Sequence, residues 1–209
     1  MKEIALLLVI SGWSQTVWAQ LNFYPESIDA DIEIGYGLAI GDMDGDGHQD
    51  IILADKKAFV WYHNPDWKKH TIIEDLTERD NVCLAARDID NDGRVEVAVG
   101  AQWNPGETVD ESQSGSVHYL ISPGKDEQSW RAIALPHEPT VHRMGWIKTE
   151  AGFQLVVVPL HGRGNQGGEG RGVCIYSYLP PKDPLAEWTR MLIDSTMHIT
   201  HNFDIIEED

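Results

Sequence analysis

The sequence predicts an all-β chain: a β-propeller of four-stranded antiparallel blades, incomplete over these 209 residues, with three blades and the start of a fourth. Three observations predict it: an internal repeat, four strand-like runs in each full copy, and an acidic loop at the same place in the first two copies. Residues 37–54 and 83–100 both read apolar run, acidic loop, apolar run, and Asp88 stands 46 residues after Asp42. A degenerate third copy runs from His142 through Trp146 to Val158, with Trp146 standing 58 residues after Asp88. A fourth begins at Thr200, where Asp204 again follows Trp146 by 58 residues.

The strand-like runs fall at 38–41, 51–54, 59–63 and 70–74 in the first copy. In the second they fall at 84–87, 95–100, 116–122 and 130–135, and in the third at 144–147, 154–159, 172–178 and 189–194. Val, Ile, Tyr and Trp dominate them, while Gly, Pro, Asn and Asp punctuate the gaps. The blades then span about 33–80, 81–140 and 141–198, with the next starting at 199–209. A β-sandwich is the competing fold, but it leaves the in-register acidic loops unexplained. Propellers close with about four to eight blades. An open one leaves sheet faces and edges bare. The remaining blades are therefore expected either from a longer chain of which this is a part or from self-association.

The first residues read as a secretory signal peptide over 1–19. Lys2 starts a short basic region, residues 4–10 are almost unbroken apolar, and Val17-Trp18-Ala19 ends in small or modest side chains. The apolar stretch falls short of the roughly 20 residues of a membrane span. The expectation is a chain of residues 20–209, secreted or periplasmic; an ordinary buried first strand or helix is the alternative. The net charge of −18 argues against nucleic acid and anionic lipid as partners. It suits divalent cations, neutral sugars or cationic partners. Cys83 and Cys174 are too few for a disulfide scaffold and read as buried free thiols in strands, a mutual disulfide being the alternative.

Most of the acid is concentrated in the repeated loops. Asp42, Asp44 and Asp46 occupy loop positions one, three and five, followed by Gly47, His48 and Asp50. The second loop repeats the pattern with Asp88, Asp90, Asp92, Gly93, Arg94 and Glu96. Alternating carboxylates over a tight turn can wrap one hard cation, with His48 and Arg94 giving backbone carbonyls. These ten residues are the expected ligands of two structural Ca2+ ions. The bidentate Glu of an EF-hand is missing, because its place is taken by Leu53 and Val99. Acidic hairpin turns without metal are the plainer alternative. The third copy, with Lys148-Thr149-Glu150-Ala151-Gly152 in that place, is expected to bind none.

A four-stranded meander puts the acidic loops on one face and the remaining loops on the other. That opposite face collects His137, His142, His161, His198 and His201, with Arg143 and Arg163. Channel mouths ringed by loops are ordinary places for a ligand, and imidazole suits proton transfer near neutral pH. Any one of these histidines alone is more simply a surface or loop residue. Trp103 and Trp146 could stack on sugar rings, although core packing is the default for both. Glycines 162 to 172 read as a flexible lid or substrate-contacting loop; a phosphate cradle fails for want of a Walker Lys-Ser pair and a following helix.

Asp42 to Asp50, Asp88 to Glu96, Glu138-Pro139-Thr140-Val141-His142-Arg143-Met144, Pro159-Leu160-His161-Gly162-Arg163 and Met197-His198-Ile199-Thr200-His201-Asn202 together resemble a known group. The loops resemble FG-GAP and VCBS propeller repeats, and the histidine segments resemble the propeller of the aldos-2-ulose dehydratase family and its bacterial FG-GAP relatives. In that family a seven-bladed propeller, followed by cupin domains in the fungal enzyme, removes water from a keto-sugar such as 1,5-anhydrofructose. The resemblance covers about residues 30–209 and implies a carbon–oxygen lyase, a sugar dehydratase. It implies His142 or His201 as base, Arg143 on the oxyanion, and His161 as acid or ligand of an additional divalent metal. Trp103, His137, Arg163, His198 and Asn202 are the expected substrate contacts. A non-catalytic carbohydrate-binding or adhesion propeller is the rival class, and a polysaccharide lyase ranks last for want of cationic residues on the histidine face.

Overall fold

The strand-like runs resolve, in a computed structural model, into twelve strands and no helix among the described residues, 21–124 and 129–206. The predicted signal peptide lies outside them. Residues 21–30 carry no regular element. None of the described residues forms a helix long and apolar enough to cross a membrane.

The first sheet is β1 (Gly37–Gly41), β2 (Asp50–Ala54), β3 (Ala58–His63) and β4 (Lys68–Glu74). The second is β5 (Cys83–Arg87), β6 (Glu96–Gly100), β7 (Val117–Ile121) and β8 (Arg131–Leu135). The third is β9 (Val141–Thr149), β10 (Gly152–Pro159), β11 (Ile175–Leu179) and β12 (Thr189–Asp194). Each is an antiparallel meander in chain order, so sequence neighbours are also ladder neighbours. The registers repeat: Leu53 faces Val60, Val99 faces His118 and Val157 faces Tyr176, the same position in three successive sheets. The three sheets do not close into a ring.

Apolar layers join the sheets. Ile52, Phe59 and Ile72 of the first meet Leu84, Val99 and Leu120 of the second. The other face of the second, with Ala85, Ala98 and Val117, meets Trp146, Leu155 and Tyr178 of the third. Fully buried side chains such as Phe59 and Leu120 each contribute about 2–3 kcal/mol relative to exposure. The middle sheet is covered on both faces, which is why β6 is buried at Val97, Ala98, Val99 and Gly100 without alternation. The innermost strands pack so closely that a Cβ on Gly37 of β1 would lie 3.1 Å from the Cys83 Cα of β5. The far face of the first sheet leaves Leu38 and Ile40 63% and 60% exposed.

The opening of the fourth copy differs from expectation. Residues 200–204 form no strand, because nothing among the described residues offers them a ladder. They still lie where an innermost strand would: Phe203 packs on the far face of the third sheet, and a Cβ on Gly145 would meet Ile205 at 2.6 Å. The fourth run of the third copy is confirmed, but the third begins at Ile175 rather than 172. Before Ile175 the chain runs against its neighbours, and a side chain on Gly172 would collide with the Ser195 carbonyl. Both thiols are free; Cys83 is buried, which pushes it up to about 12, and Cys174 stands just before β11 rather than within it.

Candidate functional site

The two acidic loops share five side-chain-to-backbone hydrogen bonds. In the first, Asp42 accepts from the Gly45 and Gly47 N–H groups at 2.7 and 2.8 Å. In the second, Asp88 accepts from Asn91 and Gly93 at 2.6 and 3.1 Å. Asp44 accepts from Asp46 and Asp90 from Asp92; Asp46 accepts from His48 and Asp92 from Arg94. Asp50 accepts from Met43 as Glu96 does from Ile89, both at 2.8 Å. Gly47 and Gly93 have φ of 87° and 93°, a bend that a β-carbon resists. The same five bonds 46 residues apart make one loop design used twice. A further bond, from the Val95 N–H to the Asp42 carbonyl, ties the loops together at 2.8 Å.

Carboxylate oxygens converge within 4.8 Å in two sets, Asp42, Asp44 and Asp50, and Asp88, Asp90 and Glu96. An all-oxygen set of this kind fits a hard cation such as calcium. The crowding has an electrostatic signature in the second loop, where burial and then Asp90, Asp92 and Asp88 push Glu96 up to about 7. Asp92 stands outside its set. Asp46 converges instead with Asp44 and His63, whose Nε2 lies 3.5 Å from an oxygen of each. A bond to Asp66 at 2.7 Å is the largest cause holding the His63 imidazole above its ordinary value. Sequence reasoning missed His63, although the rule that third-to-fourth strand turns share the face of the acidic loops could have found it. In the third sheet the corresponding turn is Glu150-Ala151, closed by Thr149, whose hydroxyl donates to the Gly152 carbonyl at 2.7 Å.

The other face assembles a cluster from three distant segments. The Trp103 ring stacks on His142 at 5.1 Å and 23°, and His201 meets His142 edge-on at 4.8 Å. Arg143 donates from Nη1 to the His142 carbonyl at 2.8 Å and from Nε to Asn202 at 3.2 Å. His142 is buried, its Nε2 has no hydrogen-bond partner, and desolvation, with Arg143, His201 and His161 next, lowers it to about 4. It is therefore a neutral imidazole with a free ring nitrogen at pH 7.

The remaining predicted residues take other places. The His161 backbone is pinned by Thr140 in both directions and bridged to Ile199, while its Nδ1 is buried without a partner. Arg163 is committed to carboxylates, donating from Nη2 to Glu111 at 2.6 Å and from Nε to Glu138 at 2.9 Å. The His198 ring is exposed and its carbonyl accepts from Asn165. His137 sits farther out, beside His118. Trp146 is core, 3% exposed. Glycines 162 to 172 are not a free lid: Asn165 is fully buried and its amide donates to the Arg171 and His198 carbonyls at 3.1 and 2.9 Å.

Comparison with known proteins agrees with the repeat. Residues 35–99, from β1 through the second acidic loop to β6, match the FG-GAP-like repeat family. The chain is 26% identical over 207 residues to aldos-2-ulose dehydratase of Phanerodontia chrysosporium, covering 95% of this chain and 22% of that protein. The chain therefore carries an FG-GAP-like repeat and resembles that dehydratase over a stretch equal to about a fifth of the dehydratase's length.

Proposed function

We propose that this chain is part of a secreted or periplasmic calcium-loop β-propeller that acts on carbohydrate, as a keto-sugar dehydratase eliminating water. The observation that carries the reading is the convergence of Trp103, His142, Arg143, His201 and Asn202 from three segments far apart in sequence. Elimination next to a carbonyl needs a base for the α-proton, a cation for the developing enolate oxygen, and an acid for the leaving β-hydroxyl. His142, held as free base, or His201 takes the proton. Arg143, steadied by Asn202, faces the oxyanion, and His161 supplies the acid or helps hold a further divalent metal. Asp42, Asp44, Asp46, Asp50, Asp88, Asp90, Asp92 and Glu96 would hold two calcium ions, with the His48 and Arg94 carbonyls. There calcium neutralises crowded carboxylates and fixes the loops without entering the chemistry. The exposed Leu38 and Ile40 fit the flank of a further blade, from the same chain or another copy.

The test is incubation with 1,5-anhydrofructose while ultraviolet absorbance of an unsaturated product is followed. Product from the native chain and none from His142→Ala supports the reading. Retention of the sugar unaltered supports the rival, a non-catalytic carbohydrate-binding or adhesion propeller. One observation favours that rival: burial makes His142 a weak base.

A further inference from the structure

The seam between the first two sheets changes character at the end away from the acidic loops. In the first sheet the third strand offers Ala58 and Val60 at this level, with the Asp55 N–H bonding the Ala58 carbonyl. Forty-six residues on, the same ladder positions, Ala101 bonding Ser116 and Val99 facing His118, carry a hydroxyl and an imidazole. The third sheet has Tyr176 opposite Val157 at the equivalent place. The second sheet thus carries polar groups where the first carries alanine and valine, and at a cost: Ser116 is 8% exposed, and neither its Oγ nor the His118 Nε2 has a hydrogen-bond partner. Leaving such groups unmatched is unfavourable unless something else meets them.

Both residues line one cavity of about 380 Å³, shared with Thr77, Gln102, Glu111 and His137. Its walls are already set. Gln102 accepts from the Arg79 N–H through its side chain and donates from its own N–H to Thr77, and Glu111 is held by Arg163. No Phe, Tyr, Trp or aliphatic side chain lines it, unlike an ordinary apolar pocket. Two carboxylates, Glu78 and Glu111, disfavour an anion. The converging metal-ligand sets among the described residues lie in or beside the acidic loops. Arg163 already offsets Glu111, and the unmatched Ser116 hydroxyl and His118 nitrogen call for a ligand that donates and accepts hydrogen bonds at several points.

We infer that this cavity binds a single neutral sugar ring, at a site separate from the His142 cluster but next to it, since Gln102 lines the one and Trp103 stacks in the other. The inference rests on the carbohydrate reading for its biological setting, and on the Ser116 and His118 pair for its location. Two neighbouring sugar positions on one face fit a substrate or product longer than one residue.

The experiment follows the imidazole NMR signals of His118, His142 and His201 in the full chain during titration with D-glucose, D-galactose, D-mannose and 1,5-anhydroglucitol, up to tens of millimolar. The expected result is that one of these moves the His118 signal saturably. Replacing Ser116→Ala together with His118→Val, the pair at this level of the first sheet, should weaken that binding at least about tenfold, read by calorimetry, and raise the melting temperature. Movement of His142 and His201 with His118 unmoved overturns this site and leaves the carbohydrate reading standing. No movement of any of the three overturns both. Binding at His118 that survives the double replacement, or a replacement that lowers the melting temperature, shows the pair to be structural and overturns the inference.

Discussion

Asp50 separates the two roles an acidic loop can have. Its side chain is fully buried, and its two oxygens accept from the Met43 and Asn64 N–H groups, each at 2.8 Å. It therefore joins both ends of the turn to the β3–β4 connection even before any cation binds. Asp50→Ala leaves two donors without acceptors, each costing about 1–3 kcal/mol, while relief of a buried charge returns part of this. The net expected loss is about 2–4 kcal/mol with a chelator present. Asp44→Ala is the control: Asp44 is partly exposed, accepts from the Asp46 N–H and lies 3.5 Å from the His63 Nε2, so its loss in chelator should stay within about 1 kcal/mol. Added calcium then tests the second role. A site filled at about a hundred times its dissociation constant adds about 2.7 kcal/mol, and both variants should lose the increment of the first loop. Urea unfolding of the three proteins, with chelator and with calcium, gives all the quantities. Equal stability of Asp50→Ala and Asp44→Ala in chelator would refute the framework role. A calcium increment absent from the parent would refute the metal role.

Glu96 gives a prediction with a definite sign. Its folded-state value of about 7 lies above the ordinary 4.5, so in metal-free protein stability falls as pH rises from about 4.5 to about 7 and is flat above. Glu96→Gln should then stabilise the metal-free chain by up to about 2 kcal/mol at pH 8, after allowance for partial exposure, with little effect at pH 4. Thermal unfolding at the two pH values checks it. His118 and His142 act in the opposite direction, both lowered from 6.5 to about 4 by burial. Their contribution is full above 6.5 and is lost as pH falls towards 4, at up to about 1.4 kcal/mol per pH unit for each, so His118→Val should flatten the acid limb of stability against pH. Arg163→Ala should cost about 1–3 kcal/mol, because Glu138, Glu111 and the Val109 carbonyl each lose a donor from the same guanidinium; urea unfolding reads it. Gly172→Ala should cost more than about 3 kcal/mol, or prevent folding, because its new methyl meets the Ser195 carbonyl of the backbone and not a side chain that can swing away; expression yield and melting temperature report it.

The parts legible in the sequence were those fixed by local pattern. Runs of Val, Ile, Tyr and Trp between Gly, Pro, Asn and Asp gave the strands, and the spacing of aspartates over a glycine gave two loops that share five hydrogen bonds. Counting along the chain could also say which face a loop occupies, and that was enough to bring His142, His201, Arg143 and Asn202 together. What it could not say is how each group is used by its neighbours. Arg163 reads as a free cation on the histidine face but is neutralised by Glu138 and Glu111, 25 and 52 residues earlier. Asp92 belongs to the pattern and not to the converging oxygens, while His63, outside the pattern, reaches Asp44 and Asp46. Ser116 and His118 fall within the strand-like run 116–122, and their oddness is visible only against Ala58 and Val60 at the same level of the previous sheet. Register, which a sequence hides within each loop of unknown length, is what turns those four residues into a comparison. The 46-residue spacing that aligns the acidic loops does not align these positions along the chain, since Val60 and His118 stand 58 apart, and only the ladder restores the match. In a repeat fold, then, the chemistry most easily missed lies where one copy departs from its neighbour at a position that the loops have pushed out of step.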